Sequence, residues 1–298
     1  MKKFTFGINL GFAVKRWPEP HTWAKIVTED MGVNLVQFTF DLLDPWWPES
    51  HRKTLAAQIK YAAQEYGVTI HSAFAGLAYY TYNGLLNPEP AGREIMKEWW
   101  KRAIDVTREI GADTCGGPLG GLSVADGQNP AKMEQLYNEQ IAYILELCDI
   151  AKQAGLRQFL IEATPLRREF PHTVEQAQKM SSDLAGAAIP VRFVLDVGHA
   201  LYQPLYGPNT NTQEWLTGLG DQIGIIHLQN TDFQSDSHWG WPNERGLFDL
   251  PGFANEVKKT NLTDIPIILE VLYPFELADE QVLDHIVKSA RFCLHHLA

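Results

Sequence analysis

Cysteine is scarce in this chain of 298 residues. Cys115, Cys148 and Cys293 are odd in number, widely spaced and form no Cys-x-x-Cys, so no disulfide framework is read from them. They read as reduced, partly buried thiols of a cytoplasmic protein. Runs of positive charge are also missing. No Lys or Arg run exceeds a pair and the net charge is −11, which argues against a nucleic-acid partner. No apolar stretch is long enough for a signal peptide or a membrane span, and the expected location is the cytoplasm, with no membrane partner. No Gly-x-Gly-x-x-Gly follows the first strand pattern, and no linker, repeat or low-complexity tract divides the chain.

What the chain does have is a regular alternation of short apolar runs and longer amphipathic stretches. The runs predict strands at Phe4 to Asn9, Leu35 to Phe40, Thr69 to Ala73, Asp113 to Gly116, Gln158 to Ala163, Arg192 to Asp196, Gly224 to Leu228 and Ile267 to Val271. Helical patterns fall between them, at roughly Pro20 to Met31, Glu49 to Tyr66, Ala91 to Ile110, Pro130 to Ala154, Thr173 to Leu184, Thr212 to Leu219, Phe253 to Thr260 and Asp279 to Leu297. Gly32, Gly67, Gly111 and Gly155 follow helical patterns, where a left-handed cap is wanted. One helix per strand implies parallel strands joined by right-handed crossovers. The fold class expected is therefore α/β, a single (β/α)8 TIM barrel over residues 1–298, with a doubly wound open sheet as the alternative.

Four of the apolar runs end on a residue that binds hard divalent ions. They are Phe159-Leu160-Ile161-Glu162, Phe193-Val194-Leu195-Asp196, Gly224-Ile225-Ile226-His227 and Ile267-Ile268-Leu269-Glu270. The residues beyond them are polar or turn-forming, as in Thr164-Pro165, Gly198-His199, Asn230-Thr231-Asp232 and Tyr273-Pro274. Strand ends that converge on one barrel face would gather Glu162, Asp196, His227 and Glu270 into one oxygen-rich metal site. Such a donor set suits Mn²⁺, with Mg²⁺ or Co²⁺ as alternatives.

With this quartet, Asp196-Val197-Gly198-His199 and the segments Asn230-Thr231-Asp232, Asp236-Ser237-His238, Arg245-Gly246 and Asp249, the chain resembles the sugar isomerase/epimerase branch of the xylose isomerase-like TIM barrels, near the ketose 3-epimerases. The resemblance implies one divalent ion held by Glu162, Asp196, His227 and Glu270, and a substrate contact from His199. It implies a small-molecule keto sugar as substrate, with proton transfer through a cis-enediolate whose adjacent oxygens a dication would stabilise. Glu162 and Glu270 then become the acid/base pair. His71, read as closing the third strand, is a further substrate-binding candidate. Nine tryptophans, among them Trp46, Trp47, Trp239 and Trp241 in strand-to-helix loops, suggest a pocket wall or a homo-oligomer contact, whereas Trp99 and Trp100 read as core or interface.

The chain departs from that family at two positions. Where ketose 3-epimerases carry a second Glu six residues after the first ligand, this chain has Arg168, and Phe233 replaces the Arg six residues after the His ligand. Arg168 therefore reads as a substrate-binding residue for an anionic sugar, since guanidinium forks onto phosphate or carboxylate. Arg167 reads as the partner of Glu169 or of a helix C-terminus. A metal-dependent lyase acting on a keto sugar or keto acid is the alternative function in the same barrel. An apurinic-site nuclease is disfavoured by the acidic charge, and a non-catalytic sugar-binding protein by the presence of all four ligands.

Overall fold

A computed structural model describes residues 4–297; Met1–Lys3 and Ala298 lie outside the described residues, so the ends of the expected domain 1–298 do too. Eight parallel strands close into a barrel in the order β1 to β8, which rules out the open doubly wound sheet. They are β1 (Phe6–Asn9), β2 (Leu35–Thr39), β3 (Thr69–Phe74), β4 (Thr114–Gly117), β5 (Gln158–Glu162), β6 (Val191–Asp196), β7 (Ile223–Leu228) and β8 (Ile267–Leu269). The principal helices are α1 (Pro20–Lys25), α2 (Glu49–Glu65), α3 (Pro90–Glu109), α4 (Pro130–Ala154), α5 (Val174–Asp183), α6 (Thr212–Leu219), α7 (Leu250–Lys259) and α8 (Asp279–His296). Among the described residues no helix is long and apolar enough to cross a membrane. All three cysteines are free and buried.

The contacts gather the chain into two compact units. The first comprises residues 4–38, 58–71 and 195–297. Its strands share a register that brings their carboxyl ends level: Asn9 lies beside Gln37, Ile8 beside Leu269, and Leu228 beside Leu269. Ile8, Val36, Ile225, Ile226 and Ile268 are fully buried. The apolar stripe of α8, Val282, Ile286, Ala290 and Cys293, follows the helical period and is equally buried. The expected helix from Pro20 to Met31 begins on its proline as α1 but runs from Ile26 to Met31 as a π-helical turn, ended by Gly32 at φ 74°.

The second unit comprises residues 39–57 and 72–194. Here β4 pairs with β5 through Cys115–Phe159 and Gly116–Leu160, and Glu162 of β5 lies level with Val194 of β6. The Asn129 side chain caps α4 by accepting from the Lys132 amide, and Gly155 at φ 85° closes the helix. Trp99 and Trp100 belong to the core. The Trp100 indole Nε1–H donates to the Tyr79 hydroxyl over 2.7 Å, and the Trp100 ring meets Phe159 edge-on. Trp46 is exposed, with the Arg102 guanidinium 4.7 Å from its ring centre. In the first unit Trp241 is also core, stacked on Phe292 at 5.5 Å, while Trp239 is half-buried.

All eight strands differ from expectation by one or two residues at one or both ends, and two of these differences bear on the site. β3 continues through Ser72, Ala73 and Phe74, so His71 stands inside the strand and does not close it. β8 stops at Leu269, leaving Glu270 and Val271 beyond it, although the Glu270 amide still donates to the Leu228 carbonyl at 2.9 Å. The neighbouring chain explains that early stop. The Leu272 amide donates at 3.0 Å to the carbonyl of His238, a residue of the loop after β7, so the backbone past Glu270 pairs with loop rather than strand.

Close approach within the β4–β5 ladder yields a test. A Cβ on Gly116 would lie 2.2 Å from the Leu160 carbonyl oxygen, which the ladder holds in place. Gly116→Ala should cost about 1–3 kcal/mol, the usual range for overpacking. A urea midpoint equal to that of the wild type would refute this.

Candidate metal centre

Three carboxylates and one imidazole meet at the strand ends. Glu162 ends β5, Asp196 ends β6, His227 is the penultimate residue of β7, and Glu270 follows β8. Each offers one ligand atom, and these atoms all lie within 4.8 Å of one another. His227 is fully buried and Asp196 nearly so. His227 Nδ1 is 3.0 Å from Glu270 Oε2 and 4.0 Å from Asp196 Oδ2.

The second oxygens of two of these carboxylates are already committed. Asp196 Oδ1 accepts from the Gln229 amide nitrogen at 2.6 Å and from the His199 backbone N–H at 2.8 Å, as the cap of the helical turn Val197–Ala200. Glu270 Oε1 accepts from the Asn9 side-chain nitrogen at 2.9 Å, and Asn9 is itself bonded to Gln37 at 2.7 Å. Asp196 Oδ2 is buried and has no hydrogen-bond partner among the described residues. Carboxylates gathered this tightly out of water repel one another unless a cation lies among them. The donor set of three carboxylate oxygens and one imidazole nitrogen therefore fits a hard divalent ion.

A second group adjoins the first. Asp196, His199 and His238 also present ligand-type atoms within 4.8 Å of one another. Asp236 sits between the two rings, its Oδ1 3.2 Å from His199 Nε2 and 3.0 Å from His238 Nε2. Burial disfavours a charge on Asp236, but the two imidazoles outweigh it and hold the carboxyl well below its usual range. Burial likewise pulls the His238 imidazole down, yet Asp236, with Asp196 and Glu270 behind it, pushes it up to about 9. For Glu270, burial raises the carboxyl and the neighbouring His227, His238 and His199 bring it below the ordinary value. His238 takes φ 41°, a left-handed backbone that places its ring in this cluster. The loop that carries it is tied down by paired hydrogen bonds between Asn230 and Trp239 and by Asp232, which holds Arg245 at 2.8 Å.

The remaining sequence candidates are placed as follows. His199 lies in the second group, between Asp196 and Asp236. His71 is half-buried, third of six residues in β3, and so does not share the carboxyl-end position of the ligands. Arg168 is exposed. Its guanidinium donates to the Leu122 carbonyl, the Leu122 amide returns a 2.7 Å bond to the Arg168 carbonyl, and its stem packs over Gly127. Glu169, the expected partner of Arg167, is buried and accepts from the Thr164 hydroxyl at 2.7 Å. Asn9, Gln37 and Gln229 have no counterpart in the sequence reading, although β1 ends on Asn9 after Phe6-Gly7-Ile8, the same apolar-then-polar signature as the ligand strands.

The model of the family described as xylose isomerase-like TIM barrel matches residues 27–289. A curated relative, D-erythrulose 1-phosphate 3-epimerase of Brucella abortus (strain 2308), is 24% identical over 98% of this chain and 96% of that protein. A crystal structure from Rhodospirillum rubrum ATCC 11170, assigned provisionally as a xylose isomerase, is 39% identical, covers 97% of this chain and 98% of that one, and superposes with a TM-score of 0.94. The D-allulose 3-epimerase of Methylomonas sp. shares the fold at 18% identity and a TM-score of 0.71, covering 99% and 97% of the two chains.

Two tests follow from the geometry. Excess Mn²⁺ should raise the unfolding temperature of metal-stripped protein, by about 2.7 kcal/mol of stability at a hundredfold excess over Kd. It should leave Asp196→Ala and His227→Ala unmoved; equal shifts in all three proteins would dismiss the site. The second test concerns pH in the metal-free protein. His238 is raised from 6.5 to about 9, so its contribution to stability is complete below pH 6.5 and is lost as pH rises through about 9. Imidazole NMR should find His238 protonated at neutral pH in the wild type and less so in Asp236→Asn; an identical titration in both proteins would contradict the assignment to Asp236.

Proposed function

This chain belongs to the xylose isomerase-like TIM barrel family and is an enzyme of the sugar isomerase/epimerase type, and we propose that it is a divalent-metal-dependent 3-epimerase of a short phosphorylated keto sugar. The observation that carries the reading is the buried group Glu162, Asp196, His227 and Glu270, set at the strand ends of a barrel. The phosphorylated, short-chain substrate is supported by the Brucella abortus relative, which acts on D-erythrulose 1-phosphate and aligns over 98% of this chain. The family match over residues 27–289 supports treating the whole chain as one catalytic domain.

In this reading Glu162, Asp196, His227 and Glu270 hold the ion, with Mn²⁺ first and Mg²⁺ or Co²⁺ as alternatives. When bound, such an ion would polarise the substrate's carbonyl and neighbouring hydroxyl oxygens and make the hydroxyl-bearing carbon beside the carbonyl more acidic. The proton is removed and returned at the carboxylate oxygens of Glu162 and Glu270, one on each face of the substrate carbon. Return from the opposite face inverts that carbon, and the product is the 3-epimer. His199, held between Asp196 and Asp236, donates to a substrate oxygen. Arg168 stands for the anionic end of the substrate in place of the Glu that would bind neutral hydroxyls. Its bond to Leu122 occupies part of the guanidinium fork.

Incubation with a four-carbon ketose phosphate and Mn²⁺ in D₂O should yield the 3-epimer with deuterium at the inverted carbon. Dehydrated or shortened products would replace this reading with a lyase. Glu162→Gln and Glu270→Gln should each lower kcat by at least about 10², the minimum expected of a general acid/base. Normal turnover in both folded variants would remove them from the chemistry. Arg168→Ala should raise KM for the phosphorylated ketose far more than for its unphosphorylated analogue. Equal losses for the two substrates would make Arg168 a latch for the Leu122 loop and leave neutral sugars as the substrate class.

A further inference from the structure

We infer that Asn9 and Gln229 are positioning residues that lock the side-chain rotation of Glu270 and Asp196, so that each carboxylate keeps one chosen oxygen for the cation. The inference rests on the metal-site reading and concerns residues to which that reading gives no role.

A carboxylate has two equivalent oxygens and a freely rotating terminal bond, so burial alone does not decide which oxygen faces an ion. Here hydrogen bonding decides it. Asn9 is buried at the end of β1. Its Oδ1 accepts the Gly11 backbone N–H at 2.7 Å, which fixes the amide orientation and directs Nδ2 toward Glu270. The same Nδ2 reaches Gln37 Oε1 at 2.7 Å, and Gln37 is fully buried. Glu270 Oε1 is thereby held by a donor that is itself held from two sides, and Oε2 is the oxygen beside His227.

Gln229 does the same for Asp196 from a different strand. It is fully buried one residue past β7, and its Nε2 is 2.6 Å from Asp196 Oδ1. The opposite amide orientation would set two oxygens against each other. With His199 N–H on that same oxygen, Oδ1 has two donors and Oδ2 has no partner among the described residues. Gly198 belongs to this arrangement, because a Cβ there would lie 2.4 Å from Gln229 Nε2 and displace it. That supplies a physical reason for the glycine inside Asp196-Val197-Gly198-His199.

Mn²⁺ affinity of the metal-stripped chain, measured by calorimetric titration, tests the inference without recourse to activity. Asn9→Leu and Gln229→Met keep approximate volume and remove the donor. Each should weaken Mn²⁺ binding by about 10–100-fold, the usual effect of losing a residue that orients a ligand. The metal-free unfolding midpoint is measured beside it, and a loss of Mn²⁺ affinity at a temperature where each variant is still folded separates positioning from a general structural defect. Gly198→Ala, whose Cβ would lie 2.4 Å from Gln229 Nε2 and 3.3 Å from Asp196 Oδ1, crowds the bond between them and should reproduce the loss seen in Gln229→Met. Gln37→Met, one bond further from the ligand, should show a smaller loss than Asn9→Leu. Wild-type affinity in Asn9→Leu, Gln229→Met and Gly198→Ala would overturn the inference while leaving the metal site standing. If Asn9→Leu fails to fold, Gln229→Met and Gly198→Ala decide the matter alone. Failure of the wild type to bind Mn²⁺ would overturn the metal site itself and this inference with it.

Discussion

Repulsion between buried carboxylates is the constraint on which this structure turns. Glu162, Asp196 and Glu270 bring like charges within 4.8 Å in a region shielded from water, where charge–charge interactions are strong. A chain that folds with such a cluster must answer it. Protein donors meet part of the demand: Gln229 and the His199 amide serve Asp196, and Asn9 serves Glu270. The oxygens left over are those a divalent ion would neutralise. The protein donors thus take one oxygen each of Asp196 and Glu270, and leave the other facing the cluster.

The barrel makes this possible because its strands end level. Parallel register places Asn9 beside Gln37 and Leu228 beside Leu269, so side chains distant in sequence emerge on the same face. The rigid ladder fixes the ligands, while the loop after β7 supplies what a ladder does not. Asn230 and Trp239 clamp that loop, Asp232 braces it through Arg245, and Asp236 and His238 are carried toward Asp196 and His199. Its left-handed residues Phe233 and His238 are backbone strain that the clamps sustain.

The fold and the clustering of Glu162, Asp196, His227 and Glu270 were legible because both rest on one local pattern, an apolar run followed by a polar terminus. An apolar run and the polar residue that ends it are adjacent in sequence, so no tertiary knowledge was needed. The supporting amides were not legible. Asn9, Gln37 and Gln229 are not residues that a search for ligand types selects, and their bonds to Glu270 and Asp196 form only when strands distant in sequence come together. Nor did the sequence betray the early end of β8, since the apolar pattern resumes at Val271 after Glu270; a hydrogen bond from Leu272 to His238 decides it. His71 was misplaced for the converse reason. The residues after it, Ser72, Ala73 and Phe74, carry no break, and neighbouring β4 keeps pairing with Ala73 and Phe74.

The three-residue length of β8 has a consequence for redesign. In barrels of this kind the loops over the carboxyl face are commonly regarded as interchangeable modules on a fixed frame. In this protein the loop after β7 is part of the frame. It receives the Leu272 amide at His238, and the stretch carrying Glu270 hangs between that bond and the one to Leu228. Grafting a foreign loop of different length there would move a metal-binding candidate as well as the pocket wall.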